Sequence, residues 1–221
     1  MQTRSGTILC ALGACAMAFA IGSGSVFAQS NPVYIHIGHA ADAFRSAPDG
    51  MGLLPAAVAE AEIAHQHATL AGSDLSSLEG MKRHMDHVIN ALDADKVENG
   101  PGLGMGVATA AEGAARHTEL AAASDGASDG VKTHATHVAS AARNAGSNAA
   151  AAIEVAEKIQ QAEDAAAAAE LLAELTALTD AILNGIDADA DGRVGWQEGE
   201  GGLAQATTHM GLLKRGEGLG G

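Results

Sequence analysis

The chain has 221 residues, of which 27 are Asp or Glu and 12 are Lys or Arg, for a formal net charge of −15. An acidic balance of this size excludes an electrostatic grip on nucleic acid or on an anionic membrane surface, and it suits cations as partners. Aromatic residues are only 2% of the chain and strand formers are sparse, so a core must come from Ala, Leu, Ile, Val and Met; the expected class is all-α.

The first 28 residues read as a leader. Arg4 precedes an apolar run over Thr7–Ile21, and Val26-Phe27-Ala28 is a small-residue cleavage site. The run is short for a membrane span and ends in Gly-Ser-Gly-Ser. A signal peptide cleaved after Ala28 and export to the periplasm are expected, with no membrane span in the remainder. Cys10 and Cys15 both fall in this leader. Leu12-Gly-Ala-Cys15 makes a poor lipoprotein site, because another apolar run follows it. Beyond the leader there is no thiol, so a metal site must use His, carboxylate or backbone oxygen.

Residues 29–146 form a His-rich region written in repeats. Lys82-Arg-His84-Met-Asp-His87-Val-Ile-Asn-Ala91 returns as Lys132-Thr-His134-Ala-Thr-His137-Val-Ala-Ser-Ala141. A degraded copy stands near the start, Tyr34-Ile-His36-Ile-Gly-His39-Ala. Laying residues 50–99 on 100–149 without a gap also matches Gly52 with Gly102, Leu53 with Leu103, Glu62 with Glu112, His67 with His117 and Leu70 with Leu120. Matches between two copies in one chain indicate a duplicated structural unit. Each copy reads as two helices and a short turn, the first over about Gly52–Ala71, the second from about Ser76 to Leu92 with Ser76-x-x-Glu79 as a capping box. Two such hairpins predict a four-helix-type bundle, with a leading helix around His36. Pro48-Asp-Gly and Asn99-Gly-Pro-Gly are the turn-forming breaks between pieces.

From residue 147 the composition turns Ala-rich, and 147–221 is expected to hold an Ala-rich helix followed by one loop. Leu171, Leu175, Leu178, Ile182, Leu183 and Ile186 recur at threes and fours as an ordinary amphipathic stripe packed on the bundle.

Asp187-Ala-Asp189-Ala-Asp191-Gly192-Arg193-Val194-Gly195-Trp196-Gln197-Glu198 has acidic oxygens at loop positions 1, 3 and 5. It also has Gly at 6, an apolar residue at 8 and Glu at 12. This segment resembles the calcium loop of the EF-hand family. The resemblance implies Ca2+ held by the side chains of Asp187, Asp189, Asp191 and Glu198 and by the carbonyl of Arg193, with water at position 9. The run Glu198-Gly-Glu-Gly-Gly is a poor start for an exiting helix, since each Gly costs about 1 kcal/mol relative to Ala.

The histidines carry the second candidate site. On a helix, residues i and i+3 share a face, so each His-x-x-His presents two imidazoles to one point. His67 lies 17 residues before His84 and His117 lies 17 before His134. That spacing groups His67 with His84 and His87, and His117 with His134 and His137. A pairing in chain order fits as well: His36 and His39 with His67, His84 and His87 with His117, His134 and His137 with His209. The sequence leaves both registers open. His65 points about 160° away from His67 and is left out. Glu62 and Glu112 are weaker candidates, because Glu62 lies about 140° from His67 around the helix and Glu112 has Arg116 as a partner at i+4.

Tri-imidazole sites suit Zn2+, Cu2+, Ni2+ or iron. The expected function is an exported metal-ion-binding protein that stores, buffers or scavenges such ions, with Ca2+ at its C-terminal loop. It loosely resembles small periplasmic His-rich metal-binding bundles in composition and periodicity. Two alternatives stay open. One is a metal-dependent oxidoreductase or hydrolase with His-rich sites, for which no Ser or Cys nucleophile constellation is present. The other is a calcium-stabilised structural or interaction module with incidental histidines. Metal ions are the partners expected, and no protein partner follows from the residues.

Overall fold

The computed structural model describes residues 31–219. Within them lie seven helices and no strand: α1 Pro32–Ala41, α2 Leu53–Ala71, α3 Leu78–Leu92, α4 Val107–Ala123, α5 Asp129–Gln161, α6 Ala165–Asn184 and α7 Leu203–Gly216. The leader proposed for residues 1–28 lies outside the described residues. Among those described, no helix is long and apolar enough to cross a membrane.

Local chemistry sets the helix starts. Asn31, Ser128 and Asp164 each accept a backbone N–H of the first turn of α1, α5 and α6. For α3 the cap is Ser77, which takes the Gly80 N–H. The expected cap, Ser76, instead donates to Asp74 from its backbone and its hydroxyl, so the turn is one residue longer.

Helix α5 is the axis of the molecule. Its 33 residues pack against α3, α4, α6 and α7, and it runs unbroken through residue 147, where the composition shifts. One core of small and aliphatic side chains joins α1 to α7, from Val33 and Ile37 to Met210 and Leu213. The Ala-rich part therefore packs into the same core as the repeats. Around the axis, α2 lies on α3, α4 and α6, and α1 lies mainly on α4.

The connection from α3 to α4 is fixed by two buried polar groups. Glu60 is fully buried on α2 and accepts the backbone N–H of Leu103, Met105 and Gly106 at 2.9, 3.0 and 2.9 Å. Beside it, Asn90 donates to the Val97 carbonyl and accepts the Gly102 N–H. The long connection from α3 to α4 is thus folded down onto α2 and α3. The repeated Gly52 and Gly102 are needed for close approach. A Cβ at Gly52 would overlap the backbone of Ala41 and Asp42, and one at Gly102 would press on Glu60 and Asn90.

Candidate metal centres

Nine of the ten histidines fall into three trios: His36, His39 and His117; His67, His84 and His87; His134, His137 and His209. In each trio one nitrogen from every ring lies within 4.8 Å of the other two. The register mixes the two groupings left open by the sequence. The second trio pairs within a hairpin and the third follows chain order. The first, between α1 and α4, matches neither.

All three trios are built alike. Around the first His of each pair, the residues at −3, +1 and +4 are buried: Val33, Ile37 and Ala40; Met81, Met85 and Val88; Val131, Ala135 and Val138. The lone His has the same frame, with Ala64, Ala68 and Ala71 on α2, Ala114, Thr118 and Ala121 on α4, and Ala206, Met210 and Leu213 on α7. Each key imidazole therefore leaves its helix one residue away from the core stripe. The small residues let the two helices come close enough for short imidazoles to meet. This frame holds the signal that places His209. Ala-x-x-His-x-x-Leu occurs at Ala64–Leu70, at Ala114–Leu120 and again at Ala206–Leu212. The third copy is displaced because α6 and the Asp-rich loop stand between the His pair on α5 and the lone His on α7.

In the pairs of closest approach the facing nitrogens are Nδ1. His36 and His117 approach at 3.0 Å, His67 and His84 at 3.0 Å, and His67 and His87 at 3.2 Å. His134 and His209 stand at 3.2 Å, and His137 and His209 at 3.3 Å. With metal–nitrogen bonds of about 2.0–2.1 Å, two imidazoles on one ion sit about 2.9 Å apart at right angles and about 3.4 Å apart at the tetrahedral angle. The observed distances fall inside that range. Hydrogen bonds alone do not satisfy such a trio. A ring nitrogen offers one in-plane lone pair or one N–H, so two rings share a proton and the third has nothing left to bond. In the first trio this leftover atom is visible: His39 Nδ1 is buried without a hydrogen-bond partner.

The surroundings disfavour the charged form of six of these rings. Burial lowers the imidazole pKa of His36, His67, His84, His117, His137 and His209, and neighbouring imidazoles of the same trio lower it further. Neutral imidazole is the form that ligates, so protons compete weakly at neutral pH.

The remaining candidates lie elsewhere. His65 faces Thr179, its Nδ1 3.1 Å from the hydroxyl. Glu62 is exposed on α2 and lines an apolar groove with Leu54, Val58 and Met210. Glu112 is exposed and pairs with Arg143 of α5, not with Arg116, and Arg143 also grips Glu119. Neither glutamate joins a trio.

In the Asp-rich loop, Asp187, Asp189 and Asp191 gather with carboxylate oxygens within 4.8 Å of one another. Their oxygens accept the N–H groups of Asp191, Gly192 and Arg193, which winds the loop around the carboxylates. Glu198 does not join this group; it lies toward Arg143, Asn144 and Ser147 of α5. No helix follows directly, and α7 waits until Leu203. Ile186 falls past the end of α6 and is 44% exposed. The residue that closes the loop is Glu200, which the sequence reading did not single out. Its Oε2 accepts Gly195 N–H, its carbonyl accepts Ile186 N–H, and it is buried.

Searches for a matching protein-family model, for related curated proteins and for similar solved structures found none.

Proposed function

We propose that this protein is a transition-metal binder with three tri-imidazole sites, each taking one divalent ion such as Zn2+, Cu2+ or Ni2+, or iron. The observation that carries the reading is the gathering of three imidazoles at each of three separate points, with Nδ1 atoms 3.0–3.3 Å apart in every pair measured. Three imidazoles leave one or more coordination positions open to water or an exchangeable ligand, which suits holding and passing on ions. The leader pattern over residues 1–28 assigns this task to an exported protein. Elemental analysis of tag-free protein equilibrated with Zn2+ and freed of excess tests it. Three ions per chain are expected, falling to two in His84→Ala, in His117→Ala and in His209→Ala. Fewer than one ion in the unmodified protein would refute the reading.

A second reading concerns Ca2+ at the Asp187–Glu198 loop, supported by the three gathered aspartates. Its affinity should be weak, with Kd of about 10⁻⁴–10⁻³ M, as in other exported modules. Binding requires Glu198 to swing inward from α5 to complete the ligand set. Calorimetry with Ca2+ checks this: loss of heat in Asp187→Ala and Glu198→Ala is the expected result, and binding unaffected by Glu198→Ala would remove that residue from the site.

A further inference from the structure

The three trios share a frame but differ in what stacks on them. Phe44 lies edge-on to the first, with its ring centroid 5.5 Å from His39 and 5.4 Å from His117, at 72° and 61°. Among the described residues, the second trio has no aromatic ring against it besides its own imidazoles. At the third, Trp196, the one tryptophan of the chain, lies flat on His137 with centroids 3.8 Å apart and planes 19° apart.

Trp196 is held there by contacts that do not involve a metal. Asn144, two turns along α5 from His137, donates to the Gln197 carbonyl at 2.7 Å and accepts the Gly199 N–H at 3.1 Å. A Cβ at Gly201 would sit 2.8 Å from the Ala141 methyl and 3.0 Å from the Trp196 Cα. The loop bearing Trp196 is therefore pressed onto the helix that bears His137, and the indole is fixed over the imidazole in advance.

We infer that Trp196 is a positioning residue for the third metal site and makes it the tightest of the three. This rests on the reading of the trios as metal sites. An imidazole bound to a divalent cation is electron-poor, and the indole face is the most electron-rich of the aromatic side chains, so stacking favours the metal-bound ring over the free one. Only such a difference between bound and free states changes affinity. The stack also confines the His137 ring to one orientation, which lowers the ordering cost of ligation. Neither contribution exists at the second trio, and the edge-on Phe44 does not offer its neighbours a parallel face.

The experiment uses tag-free protein and two metals. Cu2+ is added to metal-free protein while tryptophan emission is followed. Quenching complete within the first of three equivalents is the expected result, and quenching spread evenly over three equivalents would overturn the inference. Zn2+ affinity of the third site is then measured by competition with a chelator dye in a His36→Ala, His84→Ala background. Trp196→Ala should weaken it about three- to thirtyfold, and Trp196→Phe should recover much of the loss. In a His134→Ala background, Trp196→Ala should leave the affinities of the first two sites unchanged. An unchanged third site, or an equal fall at all three, would overturn the positioning role. Absence of bound metal in the unmodified protein would instead refute the metal reading beneath it.

Discussion

The lone histidines His67, His117 and His209 offer the sharpest test, because each one closes a different trio. At a free Zn2+ concentration a hundredfold above Kd, one site stabilises the folded state by about 2.7 kcal/mol. Three sites with no shared ligand should add, for about 8 kcal/mol in all. For a chain of this length each kcal/mol moves Tm by about 2–4 °C, so Zn2+ should raise Tm by roughly 16–32 °C. Replacing His67 or His117 by Ala should remove about a third of that rise, and His209→Ala somewhat more, because its site is the tightest. The metal-free Tm should move little, because the rings are only half-buried at the edge of the core stripe. His65→Ala is the control: it gives up a single contact with Thr179, worth about 1 kcal/mol, equally with and without Zn2+. Scanning calorimetry at fixed free Zn2+ reads all of this. If His65→Ala reduced the Zn2+ shift as much as His67→Ala, or if all three lone-histidine variants kept the full shift, the trios would not be the sites.

Acid should destabilise the metal-free protein in a definite window. Six imidazoles have folded pKa values below the ordinary 6.5, so the unfolded chain takes up protons first as pH falls through about 6.5. The urea midpoint should hold steady above that pH and drop as pH falls below it; a flat midpoint there would contradict the lowered pKa values. Glu60→Gln exchanges a buried carboxylate serving three backbone N–H groups for a neutral amide. It should cost about 2–4 kcal/mol in urea unfolding, with the unfolding slope preserved. Gly52→Ala drives a methyl into the end of α1. It should weaken Zn2+ at the His36, His39, His117 site first, since two of those ligands ride on α1, and metal titration by NMR of the His rings would show the order.

The all-helical class was legible from the scarcity of aromatic and strand-forming residues, and the His pairs from their repetition. Ligand grouping was not. His117 stands 17 residues before His134, as His67 does before His84, yet the structure turns His117 toward α1 and leaves His134 and His137 to α7. Helical spacing fixes which residues share a face, but the helix that covers that face is decided by packing across the whole core. Here α5 carries α4, α6 and α7 together, and α1 takes the place beside His117. His209 was harder still, because the insertion of α6 and the Asp-rich loop breaks the period of fifty; the short frame Ala-x-x-His-x-x-Leu survives that break where the longer alignment does not. In the loop, three glycines between Glu198 and Leu203 would have had to enter a helix for the usual exit. The chain instead makes a turn closed by Glu200.

The chain distances within the trios set a timetable for the nascent protein. The His67, His84, His87 centre is complete once 21 consecutive residues have been made, and only a 17-residue span must close. The His36, His39, His117 centre cannot form until α4 has emerged, and the third centre waits for α7. Closing each of the longer spans costs more chain entropy than closing the short one, though only in proportion to the logarithm of its length. A metal ion met early would therefore lock the central hairpin first and give the later helices a rigid surface to dock on. Ions at the other two centres would fasten α1 and α7 last.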